Sequence, residues 1–226
     1  MVFFVLLGLA STFVVGALSQ GCPENYGVQT YPHEEYCDKF YLCVNGTFTE
    51  ETCENGLVFD GHGHVHNHCN YNWQVDCGKR IYDDTPISSP GCLYQYGIYP
   101  VGEGCQKTFF KCAAGVAYET PCQRGTVYNN EYHSCGYPDE TPGCEDLSES
   151  VIGFKCPDAH ELPPNAVARR FLPYPRFPLP DDKSAYIVCV YNKPRIQNCG
   201  YDSYFDEQTL SCVYADHQVG GGIGQF

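Results

Sequence analysis

Four histidines at alternate positions, followed at once by a cysteine, form the segment with the most evident potential for chemistry. They are His62, His64, His66 and His68, with Cys69 directly after them. Imidazole is the commonest metal ligand in proteins, and alternate side chains of an extended segment share one face, so the segment could bind zinc or copper. The alternative is a polar loop. We favour the loop, without a functional metal site, because the equivalent loops of the repeats described below carry one histidine or none.

Cysteine supplies a second chemistry, with 16 of them in 226 residues. The chain begins with an apolar run that ends in small residues, which is typical of a secretory signal peptide cleaved after Ser19. Disulfides persist in exported proteins, so this density predicts a disulfide frame and not a set of zinc fingers. We therefore expect a secreted mature protein with no membrane span and no cofactor.

The cysteines recur in three sets with a common phase, which predicts three tandem modules. Nine residues separate the third and fourth cysteines in the first two sets, and nine also separate Cys189 from Cys199, which fixes the phase of the third set. The sets are Cys22, Cys37, Cys43, Cys53, Cys69, Cys77; then Cys92, Cys105, Cys112, Cys122, Cys135, Cys144; and then Cys156, Cys189, Cys199, Cys212. The third set lacks its second and sixth cysteines, and Lys183 stands at the second position. Their joint loss indicates that these two cysteines are partners in the complete modules.

This phase gives the domain organisation. We expect a signal peptide over residues 1–19, modules over 20–79, 89–146 and 153–216, and a flexible tail over 217–226. Short polar connectors join the modules. The third module carries a proline-rich insertion before its third cysteine, and proline at this density disfavours helix and favours extended backbone.

Each module shows the pattern of a β-hairpin. KFYLCVNGTFTEETC and TFFKCAAGVAYETPC predict a strand, a turn and a strand. Gly46, Gly115 and Asn192 occupy the turn positions, where a positive φ angle is needed. The fold class is therefore small, all-β and disulfide-rich, with one disulfide fewer in the third module.

Charge and aromatic content restrict the partners. The net charge of −14 argues against nucleic acid, which requires basic patches, and against an acidic membrane surface. Aromatic residues make up 15% of the chain, including 19 tyrosines. Modules of this size have cores too small to bury so many rings, so the exposed rings predict a binding surface.

The segments CDKFYLCVNGTFTEETCENGLVFD and CQKTFFKCAAGVAYETPCQRGTVYN resemble the type-2 chitin-binding, or peritrophin-A, domain of arthropod proteins. Three such modules after a signal peptide resemble the obstructor group of cuticular proteins analogous to peritrophins. The resemblance implies that disulfides join the first cysteine to the third, the second to the sixth and the fourth to the fifth. The implied pairs are Cys22–Cys43, Cys37–Cys77, Cys53–Cys69, Cys92–Cys112, Cys105–Cys144, Cys122–Cys135, Cys156–Cys189 and Cys199–Cys212.

Chitin, an uncharged polymer of N-acetylglucosamine, is the partner that the resemblance implies. Aromatic rings can pack against sugar rings while polar side chains hold the acetamide and hydroxyl groups. The candidates are Tyr41, Phe59, Asp60, Tyr71, Trp73 in the first module; Phe110, Tyr128, Asn129, Tyr132, Tyr137 in the second; and Phe205, Asp206, Tyr214 in the third.

Some of these rings have core packing as an equal alternative. Those left open between core and ligand are Tyr41, Phe110, Phe59, Tyr128 and Phe205. Those expected to be exposed are Trp73, Tyr132, Tyr71, Tyr137 and Tyr214. Asn45 begins an Asn-Gly-Thr glycosylation sequon, for which an ordinary turn asparagine is the alternative.

These features predict a secreted, non-enzymatic protein that organises or cross-links chitin fibres in cuticle or another chitinous matrix, where it also meets other matrix proteins. Three modules on one chain raise the effective concentration of each on a fibre. No segment outside the modules is large enough for a catalytic domain. Two alternatives remain, a gut-lining or defence lectin that also binds chitin, and a cysteine-rich proteinase inhibitor.

Overall fold

The structure, a computed structural model, describes residues 21–63 and 65–214. The expected signal peptide, His64 and the expected tail lie outside the described residues. The chain divides into two compact units, the first ending at Pro86 and the second beginning at Ile87. No helix within the described ranges is both long and apolar enough to cross a membrane.

The first unit contains the first module, a three-stranded antiparallel sheet with a separate two-stranded hairpin. The middle strand pairs Tyr41 with Tyr31 on one side and with Glu50 on the other. Asn45 and Gly46 make the turn with φ angles of 48° and 80°, a geometry that matches the twist of the flanking strands. The elements are β1 (Val28–Pro32), β2 (Lys39–Val44), β3 (Thr47–Thr52), β4 (Leu57–Phe59), β5 (Cys69–Tyr71) and a 3-10 turn (Asn72–Gln74).

The second unit contains the other two modules, and each repeats the same plan of three strands followed by a hairpin. The second module has β6 (Gly97–Pro100), β7 (Thr108–Ala113), β8 (Val116–Pro121), β9 (Val127–Asn129), β10 (Ser134–Gly136) and a 3-10 turn (Pro138–Glu140). The third has β11 (Arg176–Pro178), β12 (Ala185–Val190), β13 (Lys193–Asn198), β14 (Ser203–Asp206) and β15 (Ser211–Tyr214). The expected fold class is confirmed.

Eight disulfides use all 16 cysteines, three in each of the first two modules and two in the third. Their pairing in the structure is the one that the resemblance implies. Each contributes about 2–4 kcal/mol to stability, which modules of this size need because their apolar cores are small.

Lys183 takes the backbone position of the missing second cysteine. In the first module the Phe59 N–H donates to the Cys37 carbonyl at 2.8 Å, and in the third the Phe205 N–H donates to the Lys183 carbonyl at 2.7 Å. The insertion supplies apolar packing to the same module. Its Leu162 and Ala168 are buried in a cluster with Phe205 and Leu210.

The expectation of extended backbone throughout the insertion is wrong in one place. Residues Val167–Phe171 form a 3-10 turn. The turn lies between prolines in the sequence, and it forms because Ala168 is buried, 5% exposed, with Phe171 packed beside the same cluster.

The polar connector between the second and third modules also proves to be packed. Residues Ser148–Ile152 form the short helix α1, which ends at Gly153. Ser148 is fully buried, and Ile152 and Phe154 pack on a cluster of Leu179, Ala185 and Ile187 in the third module. The two modules are thus parts of one compact body.

Candidate functional site

The aromatic position that follows the fourth cysteine by six residues belongs to the core. Phe59, Tyr128 and Phe205 are 5%, 5% and 2% exposed. Each stacks on the ring that stands three residues before the third cysteine of its module. The stacked pairs are Phe40–Phe59 at 4.9 Å, Phe109–Tyr128 at 5.4 Å and Tyr186–Phe205 at 4.8 Å between ring centroids. The phasing of these rings therefore reflects packing, although Phe59 still borders a cavity of about 760 Å³ that Asp60 also lines.

The polar residue after each core ring shapes a turn. Asp60 Oδ1 accepts hydrogen bonds from the His62 and Gly63 N–H groups at 2.8 and 3.2 Å. Asn129, 3% exposed, accepts from the Glu131 N–H at 2.9 Å. Asp206 accepts from the backbone of residues 208 and 209 and from the Thr209 hydroxyl. Each of these three residues therefore has a structural role in its turn, and a role as a sugar ligand stays a prediction.

Burial would by itself raise the pKa of Asp60, but the hydrogen bonds from His62, Asn70 and Gly63 outweigh it and hold the pKa below its usual value. The carboxylate is therefore the form that the turn prefers.

The tyrosine two residues after the fifth cysteine was expected to be exposed in every module, and the three modules differ in how exposed it is. Tyr71 is 5% exposed, and Trp73 stacks on it at 4.5 Å with the rings 5° from parallel. The expectation is wrong for Tyr71 because the Trp73 ring covers it, while Trp73 itself stays partly exposed. Tyr214 is 81% exposed and Tyr132 is 72% exposed, as expected.

Tyr137 is half-buried, contrary to expectation, because a residue of the third module covers it. The Arg195 guanidinium lies 4.6 Å from the centroid of the Tyr137 ring, and the Gln197 amide donates a hydrogen bond to the Tyr137 hydroxyl. Arg195 Nε also donates to Asp139 Oδ1 at 3.2 Å, and Nη2 donates to Oδ2 at 2.6 Å. Tyr137 is thus part of the interface between two modules.

The open face of the first module's sheet carries the best-developed aromatic surface of the first unit. Tyr41 and Phe48 stack at 4.9 Å between centroids, and the His33 ring lies 5.3 Å from Tyr41. Both stacked rings are accessible, with Phe48 37% exposed. Tyr41, which the sequence left open between core and ligand, therefore lies at the surface.

Polar groups around these rings are already paired. The Tyr41 hydroxyl donates to Glu34 Oε2 at 2.8 Å, and this hydrogen bond is the main reason that the pKa of Tyr41 rises to about 12. Lys39 and Glu50 form an ion pair at 2.8 Å. A ring pair bordered by an ion pair and a hydrogen-bonded carboxylate suits an uncharged ligand that offers both apolar faces and hydroxyl groups.

Phe48 was missed by the sequence reasoning, although a signal for it exists. A hairpin turn at Asn45 and Gly46 places Phe48 directly opposite Cys43, and the period of two in a strand then puts Phe48 on the same face as Tyr41.

The same sheet face changes from module to module. The positions of Tyr41 and Phe48 are held by Phe110 and Ala117 in the second module and by Ile187 and Pro194 in the third. Phe110 is only partly exposed, because the backbone at Gly91 crosses close to it. A Cβ at Gly91 would lie 3.1 Å from the Phe110 ring. In the third module Ile187 is 1% exposed beneath α1 and Phe154, so that face is closed.

The histidine-rich loop does not have the extended geometry that would align its imidazoles. Asn67 and His68 have φ angles of 43° and 64°, which turn the chain. His66 Nε2 lies 2.9 Å from Glu54 Oε1, whereas the His68 ring packs edge-on against Phe40 at 6.0 Å. Across residues 21–63 and 65–214, the group of three or more acidic and histidine side chains that lie within metal-binding distance of one another is Asp158, His160 and Glu161, all exposed.

Asn45 is exposed at the tip of the β2–β3 hairpin, and its Oδ1 accepts a hydrogen bond from the Gly27 N–H at 3.1 Å. The sequon is therefore at an accessible surface, and its glycosylation stays a prediction.

Comparison with known families agrees with the modular structure. The family model described as the chitin-binding peritrophin-A domain matches residues 22–77, 92–144 and 173–220. The fold, the disulfide frame and this match define a protein of three tandem peritrophin-A domains. Most of the third module's insertion lies before the matched segment and is an addition to the family plan.

A relative that is matched over nearly the whole of this chain identifies the group within this family. "Protein obstructor-E" of Drosophila melanogaster is 30% identical over 220 residues, which cover 93% of this chain and 86% of the relative. The chain belongs to the obstructor family of peritrophin-A domain proteins, as the resemblance of its segments implied.

Two longer relatives are matched over only a small part of their own length. "Chitin-binding domain protein cbd-1" of Caenorhabditis elegans is 24% identical over 148 residues, which cover 58% of this chain and 11% of that protein. "Probable chitinase 10" of Drosophila melanogaster is 23% identical over 172 residues, which cover 71% of this chain and 7% of that protein.

Proposed function

We propose that this protein is a secreted, non-enzymatic matrix component that binds chitin and holds chitin fibres together in cuticle or a similar matrix. Its domains belong to a chitin-binding family, and a relative that it matches over 93% of its own length is an obstructor. The observation that carries the proposal is the stacked pair of Tyr41 and Phe48 on the open sheet face of the first module.

This ring pair fits the chemistry of a neutral polysaccharide. Pyranose rings have apolar C–H faces that pack on aromatic rings, and their hydroxyl groups can donate hydrogen bonds to the carboxylate oxygens of Glu34 and Glu50. Further contacts are proposed at the accessible rings of Trp73, Phe110, Tyr132 and Tyr214. Because the ligand carries no charge, binding does not depend on the protein's net charge of −14.

Bridging of fibres follows from having binding surfaces in two separate units. A second contact on the same or a neighbouring fibre is made at the effective concentration that the linker allows. Loss of one unit's surface should therefore weaken both retention and bridging.

The test measures retention of the oxidised mature protein on insoluble chitin, with cellulose as the control polymer, at low and high salt. We expect retention on chitin at both salt concentrations and no soluble sugar released from it. Combined Tyr41→Ala and Phe48→Ala should weaken binding about three- to tenfold. The control is Tyr26→Ala, which removes a ring that is 74% exposed but lies outside this surface.

Absence of retention would contradict the proposal and favour a proteinase inhibitor, to be checked against a protease panel. Retention that disappears at high salt would contradict the aromatic basis of binding.

A further inference from the structure

The third module lacks the open sheet face on which the first module carries its ring pair, but the opposite face of its sheet has a groove of about 440 Å³. Side chains of β11 and β12 alternate across the sheet, so the groove residues lie on the face away from Ile187. The insertion supplies the other wall. The lining includes Phe171, Tyr174, Arg176, Tyr186, Val188 and Gln197.

Arg176 joins the two walls of the groove. Its guanidinium carbon lies 4.5 Å from the centroid of the Phe171 ring in the insertion and 5.5 Å from that of Tyr186 in the sheet. Cation–π contacts of this kind fix the planar group between the rings while its N–H groups remain donors. In the part of the chain that the structure describes, Arg176 has no ion-pair partner.

Tyr191 extends the groove in an unusual backbone conformation. It occupies the first turn position of the β12–β13 hairpin with a φ angle of 49°, where the first module has Asn45. A bulky residue is strained there, whereas asparagine is tolerated. The Tyr191 ring is nevertheless 82% exposed and meets the Tyr174 ring edge-on at 6.0 Å. Strain that presents an exposed ring points to a function for that ring.

From these observations we infer that the groove built by the insertion is the saccharide site of the third module and takes a segment of an N-acetylglucosamine polymer. The inference rests on the proposed function, since it assumes that the chain binds chitin. The rings of Tyr174, Tyr191 and Phe171 offer faces and edges to the sugar rings. Arg176 donates hydrogen bonds to acetamide or hydroxyl oxygens, and Gln197 adds an amide.

An uncharged ligand is favoured over an acidic one because aromatic and aliphatic side chains make up most of the lining. The guanidinium of Arg176 is already held by two of the rings. The third module thus replaces its closed sheet face with a surface on the other side of the same sheet. The insertion, which lies largely outside the family match, gains a role beyond filling the core.

The test uses the full mature protein with two groove variants, Tyr174→Ala and Tyr191→Asn. The second variant restores the residue that the first module has in this turn, so it should fold at least as well as the wild type. Tyr201→Ala is the matched control, because Tyr201 is 91% exposed in the same module but does not line the groove. Binding isotherms on insoluble chitin are combined with amide chemical-shift mapping using a soluble N-acetylglucosamine hexamer at low and high salt.

We expect each groove variant to bind chitin about two- to fivefold more weakly, with the control unchanged. The hexamer should shift amide signals of residues 171–176 and 186–191 at both salt concentrations. If both groove variants bind chitin as tightly as the wild type, this inference is overturned and the proposed function stays intact. Absence of any wild-type binding would overturn both. Groove signals that respond only to a carboxylated saccharide, and only at low salt, would overturn the choice of a neutral ligand.

Discussion

Breaking the ion pair between Arg195 and Asp139 should loosen the body formed by the second and third modules. The two side chains are only 15% and 12% exposed, and three hydrogen bonds join them. At an effective dielectric constant of about 20, unit charges about 4 Å apart attract each other by about 4 kcal/mol. Desolvation of both groups offsets much of this attraction, so the intact pair adds little to the free energy of unfolding. Either charge left buried without its partner lowers that free energy considerably.

Removal of one partner leaves the other charge largely buried, which costs about 3–5 kcal/mol for a fully buried pair. Residual exposure reduces this figure, and we expect about 2–4 kcal/mol for Arg195→Leu and for Asp139→Ala. The double variant should lose less than the sum, with a coupling energy of about 1–3 kcal/mol. Glu140→Gln is the matched control, because Glu140 contacts the same guanidinium but is 60% exposed. It should cost less than about 0.5 kcal/mol.

The assay follows unfolding of the disulfide-intact protein in urea with two signals. Trp73 is the only tryptophan in the sequence and lies in the first unit, so its fluorescence reports that unit alone. Near-ultraviolet circular dichroism of the tyrosines reports both units. We expect the variants to shift a transition in the tyrosine signal and to leave the Trp73 transition in place. A coupling energy below about 0.5 kcal/mol, or an equal shift of both signals, would refute the reasoning.

Three further predictions concern the cores and turns. Phe59→Ala removes half of the Phe40 stack and should destabilise the first unit by about 3–5 kcal/mol, measured by Trp73 fluorescence; Tyr132→Ala, at an exposed ring, should change stability by less than about 0.5 kcal/mol. Gly125→Ala should destabilise the second unit by about 1–3 kcal/mol, because φ is +82° and the new Cβ would lie 2.8 Å from Ile196 Cδ1. Adding Ile196→Val to this variant should recover part of the lost stability. If it recovers none, crowding is not the cause. Because the pKa of Asp60 is lowered in the folded protein, its carboxylate stabilises the fold above about pH 4, the usual value for aspartate. This contribution is lost as the pH falls through the lowered native value. Asp60→Asn, which copies the residue at position 129, should keep the turn and lose this pH dependence of stability, and an unchanged pH profile would contradict the assignment.

The repeats themselves could be predicted from the sequence with little loss. Cysteine spacing indicated three modules and the disulfide-rich β class, because a disulfide frame leaves few ways to fold so short a segment. The family was implied by the resemblance of the first two modules to peritrophin-A domains. The turn positions at residues 46, 115 and 192 were also correct, since a positive φ angle in a two-residue turn favours glycine or asparagine. The position of Lys183 followed from the same phase.

The candidate site was harder to predict because one sequence feature has two physical causes. A repeated aromatic residue beside a cysteine can be a core residue or a ligand, and only packing separates the two. Phe59 and Tyr71 are core residues because other rings cover them, whereas Tyr41 and Tyr132 remain accessible. The polar residue at 60, 129 and 206 accepts hydrogen bonds in a turn, which is a sufficient physical reason for its repetition.

Sequence by itself determined what is local and periodic in this protein, namely the cysteine frame, the hairpins and the family. Tertiary structure decided which surfaces remain open. Arg195 reaches Tyr137 from 58 positions away in the chain, and α1 closes the sheet face at Ile187. Such contacts depend on how separate segments pack in space, and a pattern repeated along the chain carries no record of them.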